Sequence, residues 1–334
     1  MRLVKRCAAI AAFSTIALFA ADEQPPSLRA AHTIALGAGA GPVGPLATDD
    51  AGGMLFAAVP ENNSVEVADL RKGTAVRSLT GIAKPAGLVY VAARHRLYVS
   101  SGSGIEVIDP ATGNRDTRIE LGGTAGSLAY DAGSHRIFAG TPGALAVVDP
   151  ASGRKFSEVK LSGDPAGILL ESTGPRIFVN VPSQSAVAVI DRAKLQVTST
   201  IPVAWGKENT AIAIDEKNKR LFVTSQTPAK LLVLDTASLQ WITEVVLPDN
   251  TGDVFYDAGL HQVLVLSGTA KVPGFAGVVT AMLQMGPDHY KIIGQPVTSQ
   301  NARSAAWWAA GRQLLVGAPA NQDHGAEILA FEIK

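Results

Sequence analysis

Cysteine is almost missing from this chain of 334 residues: the single one, Cys7, lies within the first ten positions. Beyond that point neither a disulfide framework nor a Cys-ligated metal centre can form. An excess of one charge is missing too. Lysine plus arginine number 29, aspartate plus glutamate also 29, and no run of five like charges occurs. Proteins that grip nucleic acid display a basic face, so that class of partner has no electrostatic support here. The local signatures of several enzyme classes are also absent. There is no G-x-S-x-G elbow, no H-E-x-x-H and no phosphate-cradling G-x-x-x-x-G-K-[ST].

The first 21 residues have the three parts of a secretory leader. Arg2, Lys5 and Arg6 are the basic start, Ala8 to Phe19 the apolar stretch, and Ala20-Ala21 the small residues at a cleavage point. The apolar stretch is too short to span a bilayer comfortably, so cleavage and release into the periplasm or the medium are expected. Losing the leader takes the basic count from 29 to 26 and leaves a formal charge of −3. Residues 22–31 read as a loose lead-in, and 32–334 as one folded unit.

Glycine and proline are plentiful, and they punctuate a repeat. Arg96 to Leu121, RLYVSSGSGIEVIDPATGNRDTRIEL, holds short apolar runs separated by turns. Asp109 can accept backbone hydrogen bonds, Pro110 presets φ for a turn, and Gly113 supplies the positive φ that closes it. The unit returns at Arg136 to Leu161, with weaker copies after it. Aligned on one strand, seven copies read Leu55-Phe56, Leu97-Tyr98, Ile137-Phe138, Ile177-Phe178, Leu221-Phe222, Val263-Leu264 and Leu314-Leu315. Their spacings are 42, 40, 40, 44, 42 and 51 residues. A period near 40 with several strands per copy predicts an all-β, seven-bladed β-propeller.

The edges of the repeat predict how the ring closes. After the third strand of copy seven the sequence ends at Lys334, while His32-Thr33-Ile34-Ala35-Leu36 forms a strand with no copy of its own. Laying this N-terminal strand on the outside of the last blade pairs both orphan edges and removes an aggregation hazard. A monomer is expected.

The repeat resembles the YVTN-type β-propeller family, which includes YncE-like and surface-layer repeat proteins. Tyr98-Val99-Ser100-Ser101, Phe178-Val179-Asn180 and Phe222-Val223-Thr224-Ser225 match its name motif approximately. The IDP-x-TG turn matches at Ile108 to Gly113 and, with serine for threonine, at Val148 to Gly153. Copies six and seven have lost that turn. The resemblance implies a fold and leaves function open, since such propellers serve as binding proteins and as modules of enzymes.

Candidate site residues come from departures from the repeat. By analogy with propellers, the loops around the channel on one face carry ligands. Three are long: Ala204 to Asn209 entering blade 5, Ser267 to Gly277 in blade 6 and Gly317 to Gly325 in blade 7. They offer Trp205, Lys207, Glu208, Lys271, Asn321 and His324. At one position of the inner strand, expected to face the channel, the copies read Pro45, Gly87, Ser127, Gly167, Ala211, Asp253 and Ser304. Asp253 is the one charge in that ring, and Arg303 is its expected ion-pair partner.

Three further expectations follow. The favoured reading is a non-catalytic binding scaffold for a small molecule, peptide or protein, with Trp205 as a stacking surface and no resident cofactor. The alternative is a metal-dependent, lactonase-like hydrolase. Propeller lactonases hold a divalent cation in the channel with acids and amides, and Glu208, Asn209, Asn250, Asp253 and Asn301 would be the corresponding ligands for calcium or zinc here. His95, His135 and His261 fall in hairpins on the opposite face, where they read as turn residues. Of Trp307-Trp308, one is expected between blades and the other in a hairpin.

Overall fold

A computed structural model describes residues 28–37, 39, 41–269, 276–322 and 324–333. The leader at 1–21 and the lead-in up to residue 27 lie outside them. Seven four-stranded antiparallel sheets form the blades of a ring, each running from an inner strand at the channel to an outer edge. Blade 1 is typical, with strands Leu46–Asp49, Met54–Val59, Ser64–Asp69 and Thr74–Thr80. The helices among the described residues are three-residue 3₁₀ turns, and none is long and apolar enough to cross a membrane.

The paired apolar residues that mark each copy explain how blades stack. Successive side chains of a strand point to opposite faces, and these sheets are covered on both. Leu97 packs in the seam between blades 1 and 2, while its neighbour Tyr98 packs in the seam between blades 2 and 3. Ile177 and Phe178 divide in the same way between the seams on either side of blade 4. Phe56, Tyr98, Phe138, Phe178 and Phe222 are all fully buried. At roughly 1.5–3 kcal/mol for each large apolar side chain, this column ties blade to blade. In blade 7, where Leu315 stands in place of the aromatic residue, two indoles add bulk. Trp308 belongs to the core shared with blade 1, and Trp307 packs against the core shared with blade 6. Both tryptophans therefore pack between blades, because strand alternation in Ala305–Trp308 sends them to opposite seams.

The ring closes by an N-terminal strand. Leu28–Ala35 pairs antiparallel with Glu327–Ile333, the third strand of blade 7, from Leu28↔Ile333 to Ala35↔Glu327. The strand begins four residues before His32, because Leu28 is itself buried, in the core between blades 6 and 7. Ile34 is fully buried in the core between blades 7 and 1.

The turn acids are held by backbone. Asp109 Oδ1 accepts the N–H groups of Ala111 and Thr112 at 2.9 and 3.3 Å, and Gly113 closes the turn at φ 84°. Asp69, Asp149, Asp191 and Asp235 make equivalent bonds. These N–H donors favour the ionised form and hold all five carboxyl groups below the usual aspartate range. Such acids belong to turn architecture. The hairpin histidines do as well: His95, His135 and His261 take left-handed backbone with φ of 52°, 54° and 52°.

Candidate functional site

Seven inner strands surround a channel cavity of about 700 Å³. Pro45, Gly87, Ser127, Gly167, Ala211, Asp253 and Ser304 all line it, one from each blade. Close approach of neighbouring inner strands keeps most of these small. A Cβ at Gly87 would collide with the Gly126 carbonyl of the next blade, and one at Gly167 with the Thr210 carbonyl. Among the described lining residues, Asp253 and Arg303 are the charged ones and Phe255 the aromatic one.

Asp253 holds the same ring position as its counterparts, beside a local irregularity of its strand. The inner strand of blade 6, Thr251–Asp257, pairs with Gln262–Ser267, and its register shifts between Thr251 and Val254. A bulge of this kind bends the strand. The bulged residues then bond to blade 7. Asp253 N–H donates to the Arg303 carbonyl at 2.8 Å, and Ala305 N–H donates to Asp253 Oδ2 at 2.9 Å. Gly252 fits there because a Cβ would run into the Arg303 carbonyl.

Arg303 does not close an ion pair with Asp253. Its Nε and Nη2 donate to the Thr251 carbonyl at 3.2 and 3.0 Å, and no ion pair among the described residues joins it to the carboxylate. The expected contact is thus replaced by three bonds to backbone across the same seam, two donated by the guanidinium and one accepted by the carboxylate. Loss of water around Asp253 raises its pKa from the usual 3.8 to about 6, against the opposing pull of Ala305 N–H and the Arg303 charge. Asp253 keeps some accessible surface, and that surface faces the channel, where protein still surrounds it on most sides.

The other candidate residues fall into separate groups. Trp205, Lys207 and Glu208 are exposed on the loop entering blade 5 and are not part of the cavity wall. This loop is pinned by a two-way backbone pairing of Lys207 with Thr227 and Gln226. Trp205 holds φ at 60° with 49% of its surface exposed, an uncommon combination for an indole. Glu208 accepts a hydrogen bond from Thr227 Oγ1 at 3.1 Å. In blade 7, Asn321 and His324 bond to each other, and His324 Nδ1 also lies 3.4 Å from Glu327 Oε1. His324 N–H donates to Asn321 Oδ1 at 3.0 Å, Asn321 Nδ2 lies 2.8 Å from His324 Nε2, and His324 Nδ1 lies 2.8 Å from the Gly325 carbonyl. Lys271 lies outside the described residues.

The oxygen set considered for a cation is likewise dispersed. Asp253 and Asn301 line the channel, and Asn250 Nδ2 donates to Asn301 Oδ1 at 3.2 Å. Asn209 is fully buried, with Nδ2 donating to Asn180 Oδ1 and the Ala186 carbonyl at 2.8 and 2.9 Å. Among the described residues no group of three or more His, Cys, Asp or Glu side chains could hold a metal ion. Backbone conformation accounts for several of these residue types. Lys84, Glu208, Asn250 and Asn301, at equivalent rim positions of four blades, all have φ between 44° and 63°. Asparagine tolerates that conformation better than most residues. A positive φ repeated at one position of the copies is the signal that residue type alone did not reveal.

No protein-family model matches the chain, and no curated protein matches it. Solved structures do. The chain is similar to a chain of hydrazine synthase from Kuenenia stuttgartiensis, with TM-score 0.69 and 14% identity over 82% of this chain and 92% of that one. It is also similar to a chain of the mitotic checkpoint complex, with TM-score 0.73 and 13% identity over 99% and 98%. At these identities the likeness establishes the propeller fold, which one of these neighbours carries in an enzyme and the other in a protein assembly.

Proposed function

We propose that this chain is an exported, YVTN-type binding propeller that captures a small polar ligand at the channel mouth where blades 6 and 7 meet. The observation that carries this reading is Asp253 itself, a carboxylate at a channel ring whose other positions are small and neutral, held there at a cost in desolvation. A cavity of about 700 Å³ is within the range of small-molecule sites. Export is supported by the tripartite leader and by the lack of cysteine after Cys7. The exposed Trp205, on the same face, offers a second contact surface for a ligand that extends beyond the channel.

Scanning fluorimetry against a panel of amines, carboxylic acids, amino acids, sugars and short peptides tests this reading. At least one compound should raise the melting temperature of the wild type and have no effect on Asp253→Asn. Ligands that act equally on both proteins would place binding elsewhere and overturn it.

A further inference from the structure

The two charged residues of the channel are held in an unusual state. Both are engaged by backbone, and each keeps one polar atom without a hydrogen-bond partner among the described residues. Asp253 Oδ2 accepts from Ala305 N–H, and Oδ1 accepts no bond from the described residues. Arg303 spends Nε and Nη2 on the Thr251 carbonyl, which leaves Nη1 without a protein acceptor among them. The backbone bond from Asp253 to Arg303 fixes where the two side chains start. The carboxylate and guanidinium therefore share a cavity wall without neutralising each other.

That arrangement discriminates between ligand classes. A simple cation gains Asp253 but meets the positive charge of Arg303, and a simple anion meets the reverse. A sugar site is commonly built on an aromatic platform, and Phe255 is the aromatic residue of this wall. A hard metal ion asks for several oxygen donors, and Asp253 supplies the one carboxylate present. A molecule carrying both charges satisfies both residues at once. We infer that the channel takes a small zwitterion of the amino-acid type, with its ammonium group on Asp253 Oδ1 and its carboxylate on the free edge of Arg303. This rests on the binding reading above and names the ligand class of that site. Charge-assisted bonds of both kinds would fix its orientation, while the small residues Gly87, Ser127, Gly167 and Ala211 leave room for a side group.

Isothermal titration with α-amino acids, and with ω-amino acids from β-alanine to 6-aminohexanoate, tests the inference because the ω series varies the charge separation. Each compound is compared with its methyl ester, which lacks the carboxylate, and its N-acetyl form, which lacks the ammonium. At least one free amino acid should bind about ten-fold or more tightly than both blocked forms. Asp253→Asn should abolish the preference over the N-acetyl form, and Arg303→Gln the preference over the ester. Equal binding of free and blocked compounds, or a preference that survives both substitutions, would overturn the inference. The wild-type comparison stands even if a variant misfolds. Should a sugar, amine or peptide bind in an Asp253-dependent way while free amino acids do not, the zwitterion falls and the binding site remains. If nothing in either panel binds, both fall.

Discussion

Asp253 and Arg303 are joined through backbone and not through charge. The amide of one donates to the carbonyl of the other at 2.8 Å, while the guanidinium turns to Thr251 and the carboxylate to Ala305. Desolvation of the carboxylate outweighs the relief that the Ala305 N–H and the nearby Arg303 charge supply. The arrangement has a direct consequence for stability.

The folded-state pKa of Asp253, about 6, lies above the 3.8 of an ordinary aspartate, so the native protein binds this proton more tightly than the unfolded chain. Its stabilising effect is complete below about pH 4 and is lost as pH rises through 6. The five turn aspartates act in the opposite sense, since their lowered pKa values support the fold above about pH 4 and fail as pH falls. Stability should peak between about pH 4 and 6. Asp253→Asn, which can still accept the Ala305 N–H, should raise the stability at pH 8 by up to about 3 kcal/mol and change little at pH 4. Melting curves of both proteins across this range check it, and a variant less stable than wild type at pH 8 would count against it.

Ring closure is testable at Ile34, fully buried between blades 7 and 1. Ile34→Ala should cost about 2–5 kcal/mol in denaturant unfolding, as for a core residue, although it lies outside the seven repeats. Deleting residues 22–38 should lower the melting temperature sharply. A neutral outcome in both would mean that the strand does not lock the ring.

Asn209 should behave as a structural residue. Removing an amide that bonds Asn180 and the Ala186 carbonyl in a fully buried position should cost about 1–3 kcal/mol. Asn209→Ala, measured where it remains folded, should leave ligand affinity within about two-fold of wild type. A selective loss of binding, or a melting temperature that falls on treatment with a chelator, would favour the cation site.

The leader leads to a separate expectation. N-terminal sequencing of protein recovered from cell fractions should find a chain starting near Asp22, after Ala20 or Ala21, in the periplasm or medium. A full-length cytoplasmic species would contradict it.

Architecture was legible in the sequence because each blade is made of local pieces. Leu97-Tyr98 and its counterparts are apolar on both sides of a strand, which only a doubly covered sheet requires. Asp109 and Gly113 set their turn within five residues. Placement of the strand at His32 to Leu36 followed from counting unpaired edges. The channel ring was legible too, since one position of each copy recurs at the cavity wall. Its detailed chemistry was not. Asp253 accepts from Ala305, 52 residues away, and that contact exists only because the ring brings consecutive inner strands together. The same closeness puts the Arg303 carbonyl where the bulged amide needs an acceptor and diverts the guanidinium from the expected ion pair. Trp205, Glu208, His324 and Asp253 looked like one constellation because their loops share a face. Side-chain contacts separate them, since each loop first satisfies its own backbone and neighbours, and only tertiary packing determines which atoms remain free.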